Sequence, residues 1–284
     1  VALALLSAFL SFAAWGVVPG QPPQVCIDNV CTASAAPVSL VAPSSKRKWH
    51  PGHYVTLDGT VRRDNLASIK QAHFAQIAAL ASEPAVKGVQ IMFMMSSLEG
   101  ATAGDYTAGK ALVREYLDRL AAAGNKQLMI WMVAAQFGGY GDDLSVYFPS
   151  YIVNSPGYGL TKGSNGLYMR TWQAATMDRF IALSKALGQA FDSHPNVEMV
   201  TFGETALSIV DGTDGYSSAQ VEAQQKRYLT EVRASWSTTN LRLHANYFQT
   251  DALMIDLIKH AASNGAVVGG PDVIPSEDIQ ANRV

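Results

Sequence analysis

From residue 53 onward, apolar runs of strand length alternate with stretches spaced like amphipathic helices, and the alternation never breaks. HYVTLDG (53–59) with NLASIKQAHFAQIAALASE (65–83) makes the first pair, and VKGVQIMFMMSSLEG (86–100) with YTAGKALVREYLDRLAAAG (106–124) the second. KQLMIWMVAAQF (126–137) is followed by a helix over 170–192, and NVEMVTFGETAL (196–207) by one over 218–236. NLRLHANYFQ (240–249) with DALMIDLIKHAAS (251–263) continues the series, and GAVVGG (265–270) is a sixth strand. Strands that are apolar almost throughout are covered on both faces, which predicts parallel βαβ units. The expected fold is therefore α/β, a TIM (β/α)₈ barrel. Closure takes eight units, so the expectation includes truncation after the sixth βα unit. A doubly wound sheet is the alternative, but LDGTVRRDN, after the first strand, lacks the G-x-G-x-x-G spacing of a phosphate loop.

The N-terminal part is different in kind. VALALLSAFLSFAAWGVV (1–18) carries no charge and is followed by PGQPPQ, which cannot continue a helix. It has the character of a secretory signal core, with a single membrane anchor as the alternative. The expected division is a signal peptide or anchor over 1–36, a linker over 37–48 and the barrel over 49–284. This would put the bulk of the chain outside the cytoplasm, secreted or periplasmic, with a membrane partner only if the apolar segment is an uncleaved anchor. Cys26 and Cys31 could close a small loop in an oxidising compartment, but cleavage near TASAA (32–36) would remove both.

A formal net charge of −2 and no block of like charge beyond Lys46-Arg47-Lys48 argue against a nucleic-acid partner. No metal or other cofactor is expected, since no group of His, Cys, Asp and Glu has ligand spacing.

In such barrels the reactive groups gather at the C-terminal ends of the strands. Glu204 ends the fourth strand and is the candidate catalytic residue. An ionised carboxylate costs several kcal/mol, roughly, to bury without compensation, so one closing an apolar strand is at a surface or kept for chemistry. Glu198 lies near the start of the same strand and is expected to cap the bottom of the barrel. Asp58 ends the first strand, Glu99 follows the second, Gln136 ends the third, Asn246 lies near the end of the fifth, and Asp272 follows the sixth. All five are candidate substrate-binding residues on one rim. Among the histidines, His50 and His53 fall at the entry to the first strand, and His73, His194 and His260 on helices or their ends. Only His244, with the parity of Asn246, could face the barrel interior.

The connection after the third strand, from Gly138 to Trp172, is far longer than an ordinary βα loop. It carries Tyr140, Tyr147, Phe148, Tyr151, Tyr158, Tyr168 and Trp172. Aromatic faces beside polar groups suit a ligand with apolar C–H faces and hydroxylated edges, which describes a sugar. Tyr168 and Trp172 are taken as candidate binding residues, against the alternative that the rings only fasten the loop.

The stretch SSLEGATAGDYTAGKALVREYLDRLAAAGNKQLMIW resembles the second βα unit of retaining clan A glycoside hydrolases. There a Trp-x-x-Leu-Glu-Pro segment, a Gly-x-Tyr and a helix lead to the third strand. The matching positions are Leu98, Glu99, Gly104 and Tyr106. The resemblance implies a glycosidase with Glu204 as general acid/base, a carbohydrate as substrate, and a nucleophilic carboxylate on a seventh strand this sequence does not reach. It departs at Gly203, where the clan usually has Asn. Two other readings compete: a carbohydrate-binding barrel without catalysis, and a structural domain of a larger assembly.

Overall fold

The computed structural model describes residues 47–270 except Tyr247 and Gln249, together with the backbone of two short strands nearer the N-terminus. The apolar 1–18 segment, the linker up to residue 46 and Asp272 lie outside the described residues. The chain divides into two compact units, Val1–Ser39 and Leu40–Val284. In the first, Gln24–Ile27 pairs antiparallel with Val30–Ala33, which sets Cys26 opposite Cys31. None of the described helices is long and apolar enough to cross a membrane.

The second unit is a curled, wholly parallel sheet of six strands with helices in every connection. Its elements are β1 (His53–Thr56), α1 (Leu66–Ala79), β2 (Val86–Met94), α2 (Thr107–Ala122), β3 (Gln127–Val133), α3 (Ala174–Phe191), β4 (Val197–Glu204), α4 (Ser218–Val232), β5 (Asn240–His244), α5 (Asp251–Ser263) and β6 (Val267–Gly269). Strand order in space equals order in sequence, from β1 at one edge to β6 at the other. Each strand is thus joined to its neighbour by a helix that packs back on the sheet, the repeating unit of a (β/α)₈ barrel.

The two faces of the sheet differ. Alternate residues such as Val89, Ile91 and Phe93 on β2, Ile130 and Met132 on β3, and Val200 and Phe202 on β4 are fully or almost fully buried. The Phe93 ring meets Tyr116 of α2 edge-on at 5.5 Å, and Phe202 stacks on Tyr228 of α4 at 4.8 Å. Burying an aliphatic or aromatic side chain of this size stabilises the fold by about 1.5–3 kcal/mol. The opposite face is mixed. Met92, Trp131, Thr201 and Arg242 stand in register across β2 to β5.

Two departures from the sequence expectation matter for the site. KQLMIWMVAAQF is not one strand: β3 ends at Val133, and Ala135–Phe137 leaves the barrel sheet. It joins a three-stranded antiparallel sheet with Gly166–Met169 and Leu160–Gly163, built from the long connection. The apolar run over 86–100 also ends early, turning into a short helical turn at Met95–Leu98. A continuous apolar run does not reveal such breaks, because both pieces are buried.

At the N-terminal end of the sheet, the His50 Nδ1 lies 2.6 Å from Glu198 Oε2. Lys48 Nζ donates to the carbonyls of His194 and Val197 at 2.8 and 2.9 Å. Burial pulls this amine down to about 8, against the opposing pull of Asp192 and Glu198.

Candidate active site

Glu204 faces the concave side of the sheet because β4 carries a bulge. Leu243 pairs with Phe202 and His244 with Glu204, so Gly203 has no partner on β5. Phe202 points to the helices, and in a regular strand Glu204, two residues on, would point the same way. The extra residue at Gly203 reverses that parity, which is what a bulge does to the side chain beyond it. Glycine fits here without strain, and a Cβ at this position would meet no atom within 4 Å.

The carboxylate accepts a hydrogen bond at 2.8 Å from Asn246 Nδ2, just beyond β5. The amide has no freedom to flip, because Asn246 Oδ1 accepts from the Ala206 backbone N–H at 2.8 Å. The Thr205 hydroxyl accepts from the Asn246 N–H at 2.7 Å and donates to the Asn246 carbonyl oxygen. Thr205 and Asn246 are both buried. The orientation of the group beside Glu204 is therefore fixed by the backbone on either side of the bulge.

Below this pair lies a second layer. Arg242 Nη1 donates to Gln90 Oε1 at 2.9 Å, and Nη2 lies 2.6 Å from His244 Nδ1. A guanidinium only donates, so Nδ1 is the acceptor and the proton of the neutral ring sits on Nε2. The His244 ring stacks on Trp131 at 4.5 Å. Burial first, then the Arg242 charge, pushes His244 down to about 3, so it is neutral at ordinary pH. Burial lowers Arg242 as well, and the negative charge of Glu204 opposes that shift. Among the described residues, Trp131 Nε1, Thr201 Oγ1, Arg242 Nε and His244 Nε2 are buried without a hydrogen-bond partner.

A small cleft opens over Glu204 at the C-terminal ends of β3 and β4. Trp131, Val133, Phe137, Thr171, Gly203 and Leu207 are among its lining residues. The inserted antiparallel sheet thus forms one wall.

Of the residues singled out from sequence, Glu204 and Asn246 meet. The other described candidates are placed elsewhere. Glu99 is 1% exposed and its carboxylate accepts from Gly104 N–H at 2.6 Å, Tyr151 Oη at 2.9 Å and Arg179 Nη2. Arg179 also reaches the Tyr106 hydroxyl at 3.2 Å. This buried ion pair ties the β2–α2 loop to α3 and the long connection. Asp58 is exposed beyond β1, and its carbonyl accepts from His73 Nε2 at 2.8 Å. Gln136 donates to the Phe137 carbonyl at 2.8 Å. Tyr168 is fully buried behind Phe137, and Trp172 is 2% exposed, donating to the Asp214 carbonyl at 3.0 Å and packing on Tyr216. Asp58, Glu99, Gln136, Tyr168 and Trp172 do not line the cleft over Glu204. Trp131, Phe137 and Thr205 do contribute to the site and were not singled out. The parity of Trp131 on β3 was the available signal for it. No three His, Cys, Asp or Glu residues among those described are placed to hold a metal ion.

The fold has counterparts among solved structures. Endo-glycoceramidase II from Rhodococcus sp. superposes with a TM-score of 0.51 at 12% identity, over 67% of this chain and 47% of that one. The fold is that of a partial (β/α)₈ barrel. An exo-β-1,4-mannosidase from Opitutaceae bacterium strain TAV5 matches with a TM-score of 0.47 at 13% identity, over 67% of this chain and 31% of that one. A β-1,4-D-mannanase from Cryptopygus antarcticus matches with a TM-score of 0.46 at 10% identity, over 77% of this chain and 65% of that one. The half-barrel therefore spans less than two thirds of the length of each of these proteins. At such identities the likeness concerns the fold alone, and only the first of the three bears on it. No family model and no curated protein matches the chain.

Proposed function

We propose that this half-barrel carries the proton-donating carboxylate of a glycoside hydrolase acting on a poly- or oligosaccharide. The observation that supports the reading is Glu204: a carboxylate at the C-terminal end of a barrel strand, turned inward by a bulge and held by Asn246 in a cleft. Glu204 protonates the glycosidic oxygen as the bond to the leaving group breaks, and later takes a proton from the attacking water. A second carboxylate, from outside the described residues and about 5 to 5.5 Å from Glu204, attacks the anomeric carbon. Trp131 forms the floor beneath the reacting ring, and Arg242 adds positive charge below it.

The test is turnover of polysaccharides and aryl glycosides by the complete protein and its Glu204→Gln variant. The substitution keeps shape and removes the exchangeable proton, so the rate should fall by about 10²- to 10⁴-fold, most for substrates with poor leaving groups. Rates near wild type on both substrate types would overturn the assignment.

The uncharged apolar stretch at residues 1–18 supports an extracytoplasmic location. Expression of the complete protein with N-terminal sequencing of the exported product tests it. Retention in the cytoplasm with an intact N-terminus would count against it.

A further inference from the structure

Phe137 is 40% exposed, on the wall of the cleft that holds Glu204. Isolated surface phenylalanines are ordinary, so exposure alone says little. What sets this ring apart is how it is held. Its backbone pairs with Gly166 in the inserted sheet, and a Cβ at Gly166 would lie 2.1 Å from the Gln136 carbonyl oxygen. Only glycine lets the two strands close to that distance, and closure fixes where the Phe137 Cα stands. Behind the ring, buried Tyr168 makes a T-shaped contact at 5.7 Å and 84°. The Gln136 amide bonds the carbonyls of Phe137 and Gly139, tying down the turn that follows. Leu207 lines the same cleft, from the loop after Glu204.

A rigid aromatic ring with one side open, beside a carboxylate in a shared cleft, presents an apolar plane next to a hydrogen-bonding group. The C–H face and hydroxyl edge of a pyranose match that pairing. We infer that Phe137 is a stacking platform for a sugar ring of a bound glycan, adjacent to the ring whose bond Glu204 addresses. The inference rests on the glycosidase reading and adds to it a residue that sets where the chain of sugars lies. Tyr168 serves through its ring, as the buttress of Phe137; its hydroxyl has no partner among the described residues.

The experiment uses the complete protein with Glu204→Gln as background, so that ligand is bound but not turned over. Cellopentaose and mannopentaose are titrated calorimetrically into that background and into versions carrying Phe137→Ala, Phe137→Trp or Tyr168→Phe. Phe137→Ala should weaken binding at least about tenfold, with only a small fall in melting temperature because the ring packs on one side alone, against Tyr168. Phe137→Trp should restore affinity, and Tyr168→Phe should leave it as it was. Equal affinity in the Phe137→Ala protein overturns the platform and leaves the glycosidase reading standing. Binding of p-nitrophenol with the same dependence on Phe137, and of neither oligosaccharide, overturns it in favour of a flat aromatic ligand. Failure of the wild type to bind or cleave any glycan overturns the reading on which the inference rests.

Discussion

Arg242 on β5 donates a hydrogen bond at 2.9 Å to Gln90 on β2, with β3 and β4 lying between them. Three interstrand spacings amount to about 14 Å in a flat sheet, and side chains stand roughly perpendicular to it. The contact therefore exists only because the sheet curls, and it is a direct mark of barrel curvature on the concave face. Gln90 is in turn held by its amide, which donates to Thr56 Oγ1 on β1 at 3.1 Å.

If this bond braces the curl, Gln90 and Arg242 should be energetically coupled. A hydrogen bond to a charged group contributes about 1.5–3 kcal/mol, and removing one partner leaves the other buried and unpaired. A double-mutant cycle with Gln90→Leu and Arg242→Met, followed by urea denaturation, should give a coupling energy in about that range. Additivity to within about 0.5 kcal/mol would mean that the bond is incidental to the curl.

Glu99 should behave as a structural residue. Its carboxylate is buried against Arg179, and breaking a buried ion pair by removing one charge costs about 3–5 kcal/mol. Glu99→Gln should lower the melting temperature markedly, while turnover per folded molecule stays close to wild type below the transition. An unchanged melting temperature with abolished turnover would put Glu99 in the chemistry instead.

The sequence carried the architecture well and the site only in part, for physical reasons visible in single residues. Strands buried on both faces are apolar throughout, so the six βα units stood out, and Glu204 stood out as the charge that ends one of them. Its direction did not. Counting by twos from Phe202 sends Glu204 into the helical layer, and only the pairing of His244 with Glu204 across the gap at Gly203 turns it inward. The long connection posed a similar problem. A count of seven aromatic rings shows that the segment can pack. It does not show that Trp172 closes a separate cluster with Tyr216 and Val221 while Phe137, just outside that stretch, faces the cleft.

His244 should make the fold sensitive to acid. Its folded value, pushed down to about 3, lies below the ordinary histidine value of 6.5. Between those limits the unfolded chain binds one more proton than the folded one at this site. The stability His244 contributes is thus fully present above about pH 6.5 and is lost as pH falls toward 3. The loss between pH 7 and pH 5 should be on the order of 2 kcal/mol. His244→Phe keeps a ring against Trp131 and removes the titration, so its stability should change less over that interval. His73 and His194, which burial also lowers, contribute a remaining slope in both proteins. Identical changes between pH 7 and pH 5 in wild type and variant, measured by urea denaturation, would show that His244 is not the source.

The bulge at Gly203 permits a direct test of how the site is built, because neither of two changes at this position should turn Glu204 away from the cleft. In Gly203→Ala the added Cβ meets nothing within 4 Å, and the backbone there is not left-handed. Stability should stay within about 1 kcal/mol of wild type, since alanine also restricts the unfolded chain. Deleting Gly203 removes the unpaired residue and lets β4 pair regularly with β5. Phe202 and Glu204 then become neighbours on a regular strand and point to opposite faces, so Glu204 stays opposite His244 on the concave side. The deletion should therefore keep Glu204 on the side of Asn246, seen as glycan binding retained in calorimetry. A deletion variant that folds yet binds no glycan would show that the extra residue sets more than the side of the sheet on which Glu204 stands.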